Sequence, residues 1–261
     1  MNPKSTFCGV CLLTAATALL AALPASAQKP TGTPGSPNAD QLLRQMSAKL
    51  AVAKTFSFEA TREIDPALLG GRDVPEKARV TVNVQRPNKI AARAESDAGT
   101  RRLVFDGTAL WLSDEKLNHY ATVPMPTTID GLVAKLDQKY GFTPPLAEFA
   151  LSNLYQDLRR QAQTVTYLGL GTTTDGVECH KLALKGKEAD AELWIAVSDQ
   201  LPRKLVATFK NREGNPQVRI DFLSWNLAAS LTAADFTFTP AKDAEKIEML
   251  TTAQMQAIGK P

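Results

Sequence analysis

The segment Val80-Thr-Val-Asn-Val-Gln-Arg-Pro-Asn-Lys89 decides how this chain folds. Val80, Val82 and Val84 alternate with polar residues, and a period of two is typical of a β-strand with one apolar and one polar face. Arg86-Pro87-Asn88 then predicts a turn, because proline presets the backbone angle of the first central turn position. The segment therefore predicts a strand of an antiparallel sheet that ends in a tight turn.

The same alternation recurs on both sides of this segment, beginning with Phe56 and Phe58. Turn residues such as Asp106-Gly107 separate the apolar runs at intervals typical of an antiparallel meander. Further strands are predicted over residues 89–95, 101–105, 109–112 and 118–123, from residue 164, and over 177–184, 191–197, 205–210 and 218–225. Residues 236–238 and 247–250 are predicted as short last strands.

Three segments show a helical period instead. Residues 39–54 place Leu42, Leu43, Met46 and Leu50 on one face, with Asn38 or Asp40 as the cap. Residues 127–140 form a second amphipathic helix, whose apolar stripe is Ile129, Leu132, Val133 and Leu136. A third helical stretch opens at Pro144 and runs towards Arg160.

The count of elements predicts an α+β fold. About ten or eleven antiparallel strands make a sheet that tends to curl. Its apolar face must be covered, and the helices supply the only other apolar surface in the chain. We therefore expect a mainly antiparallel, unclosed β-barrel with a helical lid packed in its concave side.

The N-terminus predicts export. Lys4 precedes the uncharged apolar run 7–23, and Ala25-Ser26-Ala27 matches a small-x-small cleavage site. This pattern predicts a cleaved signal peptide over 1–27 and a periplasmic protein, with an uncleaved anchor as the alternative. The flanks of Cys8 and Cys11 do not match a lipoprotein signal, so no lipid anchor is expected. The predicted divisions are a flexible leader over 28–38, a single domain over 39–252 and a tail over 253–261.

Composition excludes several classes of protein. The chain has 261 residues, of which 44% are hydrophobic, so bulk disorder is excluded. The net charge is +3 and no segment concentrates basic residues, so a nucleic-acid partner is not expected. After cleavage Cys179 is the only cysteine left, and it predicts a buried strand residue rather than an exposed nucleophile.

The motifs of common catalytic and cofactor sites are missing from the sequence. There is no Gly-x-Ser-x-Gly elbow, His-Glu-x-x-His pair or phosphate-binding glycine loop. His119 and His180 lie in separate strands without carboxylate or thiol partners at metal-ligand spacing. His180 adjoins Cys179, but neighbours in a strand point to opposite faces. We expect no enzyme activity, no cofactor and no metal.

The aromatic residues of the predicted strands have two interpretations. They form an ordinary core, or they line an apolar cavity beneath the helices that takes a lipid chain. The residues concerned are Phe56, Phe58, Phe105, Trp111, Trp194, Phe209, Phe222 and Trp225. Arg86 likewise is a solvated rim residue, or a donor that bonds helix carbonyls and latches the lid, which its five N–H groups would suit.

Two families resemble this sequence. The run from Val82 through Arg86-Pro87-Asn88 and the Asp106-Gly-Thr-Ala-Leu-Trp111 strand, with Tyr120 and the helix start at 127–130, resemble the periplasmic lipoprotein carrier LolA. The second half is similar to domain-of-unknown-function family 2092, a group of predicted periplasmic proteins. The matching pieces are Asp175-Gly-Val-Glu-Cys179-His-Lys-Leu-Ala, Glu192-Leu-Trp-Ile195, Leu201-Pro-Arg-Lys204 and Phe236-Thr-Phe-Thr-Pro240.

The resemblance implies the fold shared by LolA, LolB and LppX, an unclosed barrel with a helical lid over a hydrophobic cavity. It also implies that Arg86 bonds to the lid, as the arginine of the same turn does in LolA. The leading hypothesis is a non-catalytic periplasmic carrier or sensor of lipid or lipoprotein acyl chains. The alternative is a regulatory domain that binds an envelope membrane protein, like RseB, and a hydrolase that uses Cys179 is a third.

Overall fold

The structure is a computed structural model, and it describes residues 37–70, 73–144 and 146–258. The predicted signal peptide and nearly all of the predicted leader lie outside the described residues. None of the helices within these ranges combines the length and apolar character needed to cross a bilayer.

One sheet of twelve strands organises the described chain. Its order is β12-β6-β5-β4-β3-β2-β1-β11-β10-β9-β8-β7, and every neighbouring pair is antiparallel except β12 with β6. Among the described strands, the two edges β12 and β7 do not pair with each other, so the barrel is unclosed, as the sequence predicts. The strands are β1 Thr55–Ile64, β2 Glu76–Gln85, β3 Lys89–Ser96, β4 Gly99–Phe105, β5 Ala109–Asp114, β6 His119–Pro124, β7 Ala162–Thr172, β8 Glu178–Gly186, β9 Ala189–Ala196, β10 Pro202–Phe209, β11 Gln217–Asn226 and β12 Glu245–Lys246.

Within the described ranges four helices accompany the sheet: α1 Ala39–Val52, α2 Ile129–Tyr140, α3 Leu154–Gln161 and α4 Thr252–Ile258. The side chain of Asn38 caps α1 by accepting from Gln41 N at 3.0 Å, and Thr128 caps α2 by accepting from Gly131 N at 3.2 Å. Gly141 ends α2 in the left-handed conformation at φ 60°, which glycine adopts without steric cost. Asn38, one of the two caps predicted for the first helix, is therefore the cap observed.

The third predicted helix is broken. A 3-10 turn occupies Ala147–Ala150, Leu151 is extended, and α3 begins only at Leu154. The carbonyls of Ala150 and Leu151 accept hydrogen bonds from Arg86 instead of continuing a helical ladder. Periodicity alone could not show this, because the competing donor lies more than 60 residues away in sequence.

The last predicted strands are also corrected. Residues 236–238 contain no strand: Ala233–Phe236 is a 3-10 turn, and the last strand is the two-residue β12 rather than 247–250. Phe238 instead packs its ring 6.3 Å from Trp111 and 5.8 Å from Tyr120, measured between centroids. Part of the predicted tail forms α4.

The core lies between one face of the sheet and the helices. This inner face carries Phe56, Phe58 and the alternating valines of β2, all nearly inaccessible to solvent. Six buried side chains of the helices pack against this face: Leu43, Met46 and Leu50 of α1, and Ile129, Leu132 and Leu136 of α2. Burial of these side chains removes apolar surface from water on both layers, which is the main stabilising contribution to such a fold.

A buried charge cluster occupies the inner face near the end of β1. Glu76 and Arg62, only 2% and 8% exposed, form an ion pair at 2.7 Å. Arg101 contacts Glu76 at 3.2 Å and the buried Asp114 at 3.1 Å. Removing one partner from such a cluster leaves a buried charge poorly compensated, which is costly.

We predict that Glu76→Gln lowers the free energy of unfolding by about 3 kcal/mol, because Arg62 then stays buried beside a neutral amide. Urea unfolding followed by circular dichroism measures this. The matched control is Glu59→Gln, whose ion pair with Arg79 is exposed and contributes less than about 1 kcal/mol. Equal losses in the two variants would contradict the prediction.

Candidate functional site

The two turn motifs of the sequence meet where α2 begins. Gly107 has φ 99°, and a Cβ at this position would overlap the side chain of Asn88. Ile129 N donates to Pro87 O at 2.9 Å, and Thr127 N donates to Gly107 O at 3.2 Å. The Arg86-Pro87-Asn88 turn and the Asp106-Gly107 turn together fix the position at which α2 crosses the sheet.

Arg86 joins this corner to the other helical segments. Its Nε donates to Ala53 O at 3.2 Å, and its Nη2 reaches Leu50 O at 3.5 Å, both at the C-terminal end of α1. The same guanidinium donates to Ala150 O through Nη1 and to Leu151 O at 3.1 Å. One side chain on a sheet turn therefore bonds to carbonyls of two separate helical segments.

Burial affects the charge of Arg86. Loss of solvent lowers the pKa of its guanidinium, and the nearby carboxylate of Asp130 acts in the opposite direction. Asp130 also accepts from Ser152 N at 2.9 Å, so it ties the first turn of α2 to the segment that Arg86 holds. An arginine stays protonated at neutral pH, so all its donors remain available.

Other polar contacts hold α1 in place. Tyr155 OH donates to Asp40 at 2.9 Å, and the Arg44 guanidinium lies 4.1 Å from the centre of the Tyr155 ring. At the other end of α1, Lys49 Nζ donates to Asp199 O at 2.6 Å. Polar contacts thus join α1 to α3 at one end and to the connection between β9 and β10 at the other.

Five of the eight predicted aromatic residues lie under the helices. Phe56, Phe58, Phe105 and Phe222 are buried, and the half-buried Trp225 packs 4.5 Å from Phe58 between ring centroids. Phe149, from the 3-10 turn, inserts edge-on against Phe222 at 4.8 Å. Phe149 is not among the predicted cavity residues, although its apolar position in the third helical stretch is visible in the sequence.

The other three aromatic residues lie elsewhere. Trp111 and Trp194 alternate with buried neighbours and lie on the outer face, where Trp194 has Lys181 and Lys204 over its ring at 5.5 and 5.6 Å. Phe209 belongs to a small separate cluster with Ile64 and Leu68. None of the three lines the space beneath the helices in this conformation, because alternation alone does not say which face of a strand is covered.

The space beneath α2 is almost filled by side chains. A gap of about 10 Å³ remains there, which is at the lower limit for a single water molecule and too small for an alkyl chain. Among the predicted lid residues, Ile129, Leu132 and Val133 line this gap, and the fully buried Leu136 packs on the core. The gap is bounded by Val82, Ile90, Ala92, Leu103, Ile129, Leu132, Val133, Pro144 and Ala147.

The titratable groups of the described residues show little sign of catalytic chemistry. Burial raises the pKa of the Cys179 thiol to about 11, so it is almost entirely un-ionised at neutral pH. His180 Nδ1 lies 3.2 Å from Tyr167 OH, and His119 faces Glu245 at 3.4 Å. Within residues 37–70, 73–144 and 146–258, no three His, Cys, Asp or Glu side chains are grouped to hold a metal.

Glu148 is a titratable residue that sequence reasoning missed. It lies in the 3-10 turn that Arg86 holds, and burial, reinforced by the charge of Asp157, raises the pKa of its carboxyl to about 7. A lone glutamate in an apolar stretch gives no sequence signal of this kind, since the effect comes from packing of the helical layer.

Comparison with known proteins identifies a family and several distant structural likenesses. The family described as "Predicted periplasmic protein (DUF2092)" matches residues 39–250. No curated protein matches the sequence. A solved structure of an uncharacterized conserved protein from Thermus thermophilus is 14% identical, with a TM-score of 0.49 over 80% of this chain and 98% of that chain.

Two further solved structures are similar to this chain. A LolA superfamily protein from Nitrosomonas europaea is 11% identical, with a TM-score of 0.34 over 78% of this chain and 99% of that chain. The complex of Pseudomonas aeruginosa MucA/MucB matches at 15% identity and a TM-score of 0.44, over 77% of this chain and 61% of that chain. At these identities and scores the likenesses give no information on ligand or partner.

We predict that Glu148→Gln changes how stability depends on pH. The folded pKa of about 7 lies above the ordinary value of 4.5, so the contribution of Glu148 is complete below about pH 4.5 and is lost as pH rises through about 7. The variant keeps a neutral side chain throughout. It should match the wild type at pH 4.5 and exceed its free energy of unfolding at pH 8 by at most about 3 kcal/mol, since one pKa unit corresponds to about 1.4 kcal/mol.

Urea unfolding at the two pH values tests this, with the exposed Glu213→Gln as the control that should follow the wild type at both. Identical unfolding curves for Glu148→Gln and the wild type at pH 8 would contradict the prediction, because they would show that the ionised carboxylate does not destabilise the folded state.

Proposed function

We propose that this chain, which belongs to the DUF2092 family of predicted periplasmic proteins, is a non-catalytic periplasmic carrier or sensor of lipid or lipoprotein acyl chains. The acyl chain would lie on the inner face of the sheet, in place of the helical side chains that now cover it. The protein would reach the periplasm through its cleaved signal peptide.

The observation that carries this proposal is the set of bonds made by Arg86. A single guanidinium donates to the end of α1 and to the segment before α3, above an apolar face. Hydrogen bonds from charged donors contribute about 1.5–3 kcal/mol each. Such a contact stabilises the closed layer strongly, yet it can be broken without disturbing the strands beneath.

Closure also explains how a tightly bound chain could be released. Burial of one methylene is worth about 0.8 kcal/mol, so a 16-carbon chain gains about 13 kcal/mol before any cost. That gross value corresponds to about nanomolar binding. Only about 10 Å³ of empty space remains beneath α2. The ligand must therefore first displace buried side chains and break the Arg86 bonds. The free energy that stabilises the closed state therefore reduces the net free energy of binding by the same amount.

The absence of catalysis is part of the proposal. The buried, un-ionised thiol of Cys179 supports it, because the thiolate is the nucleophilic form. Turnover of a generic ester that disappears in Cys179→Ala would contradict it.

Purified protein separates the carrier from the alternative. Native mass spectrometry of the mature protein should show an added mass, and mass spectrometry of organic extracts should show a lipid whose mass equals that difference. A clean extract combined with specific retention of an envelope membrane protein would overturn the carrier and favour a regulatory protein-binding domain.

We predict that Arg86→Leu raises retention of a bound lipid. With the four carbonyl bonds lost, the closed state is less stable and less of the binding free energy is spent on opening. The dissociation constant of the delipidated variant for a fluorescent fatty acid should fall about tenfold or more, measured by fluorescence titration.

Arg93→Leu is the matched control, because Arg93 is an exposed arginine that pairs with Glu95 and Glu115 on the sheet surface. It should bind the fatty acid as the wild type does. Equal affinities of delipidated wild type and Arg86→Leu would remove the latch from the proposal.

A further inference from the structure

A second recess lies along one flank of α2. It is an open cleft of about 380 Å³ between the end of β6 and the exposed flank of α2. This volume is within the range of small-molecule sites in proteins. We call it the α2 cleft, and it is lined by Val123, Pro124, Met125, Pro126, Lys135, Gln138 and Lys139.

The α2 cleft is distinct from the gap beneath the helix. Leu132 and Leu136 point to the sheet, and Lys135 and Lys139, each three residues from one of them, lie on the adjoining flank of the helix beside the end of β6. Leu132 and Leu136 are buried, whereas Lys135 and Lys139 are exposed. A molecule in the α2 cleft would therefore contact the lid helix without opening it.

The chemistry of the cleft is amphiphilic. Residues 123–126 supply a wall of apolar side chains and proline rings, and the helix supplies two ammonium groups and one amide. No acidic side chain is among the lining residues. Lys135 Nζ lies 3.5 Å from Pro126 O, and Lys139 Nζ lies 5.4 Å from the centre of the Tyr140 ring. Two positive charges thus stand beside an apolar wall without a carboxylate among the lining residues to neutralise them.

Both walls of the cleft are fixed. The start of α2 is bonded to Pro87 O, and its last turn is contacted by α4, where Thr252 Oγ1 lies 3.4 Å from Lys139 O. Met125 N donates to Thr108 O at 2.8 Å, which holds the apolar wall. A site that exists before the ligand arrives does not spend binding free energy on ordering.

From this geometry we infer that the α2 cleft binds a single-chain anionic amphiphile, with its carboxylate or phosphate at Lys135 and Lys139 and its first methylenes against residues 123–126. The inference goes beyond the proposed function, because it needs neither the inner face nor Arg86. An ammonium group binds either anionic headgroup as a point charge, so both headgroups share this chemistry.

The binding test uses mature wild-type protein with laurate, dodecyl phosphate and the neutral dodecyl maltoside, each below its micelle concentration, in isothermal titration calorimetry. Lys135→Glu/Lys139→Glu should weaken binding of the anionic probes at least tenfold. The control Lys116→Glu/Lys187→Glu carries the same charge change at exposed turn residues and should bind as the wild type does. Comparison of laurate with dodecyl phosphate shows which headgroup is preferred.

The location test uses laurate with a photoreactive diazirine near its carboxylate, followed by peptide mass spectrometry. Labels on residues 123–126 or 135–139 that are lost in Lys135→Glu/Lys139→Glu are the expected result. Labels only on inner-face residues such as Val82 and Ile90 would overturn the α2 cleft and leave the carrier proposal standing. Unchanged affinity in the double variant, or no binding of either anionic probe, would also overturn it, while co-purified lipid reports on the carrier separately.

Discussion

The apolar inner face of the sheet must be covered, and the rest of the structure depends on this constraint. Twelve strands with alternating side chains expose one largely apolar face, which water disfavours in proportion to its area. The helices α1, α2 and the segment before α3 supply the second layer. They are therefore part of the core as well as a lid, and any ligand for the inner face competes with the side chains of the protein itself.

Covering by apolar contact is non-directional, so polar contacts decide where the helices lie. Arg86 fastens two helical segments at one end of the inner face, where the Arg86-Pro87-Asn88 turn leaves β2. The ion pairs of Arg62, Glu76 and Arg101 lie towards the opposite ends of β1 and β2. The two ends differ in kind: at one, charge is buried within the sheet, and at the other a single cation bonds to backbone carbonyls of the layer above. None of the carbonyls in the second arrangement belongs to a strand, so these bonds take no part in the pairing of the sheet.

Much of the fold could be predicted from particular residues. The alternation of Val80, Val82 and Val84, the caps Asn38 and Thr128 and the position of Gly141 are local signals, and the structure follows them. The aromatic residues were less informative: Phe58 and Trp194 both lie in alternating strands, yet one is under the helices and the other is on the outer face. The break between Ala150 and Leu154 and the raised pKa of Glu148 arise from distant contacts that leave no local pattern.

By itself the sequence determined the class of fold, the mainly antiparallel pairing of the strands and the membership of a family of predicted periplasmic proteins, because these depend on period, turn chemistry and short motifs. Only the tertiary structure decided which face the helices cover, that side chains almost fill the space beneath α2, that Arg86 reaches two helical segments at once, and that Lys135 and Lys139 share a cleft with residues 123–126. The physical reason is that hydrophobic patterning specifies that a face is buried, whereas the partner of that face and the space left over are set by packing between segments far apart in the chain.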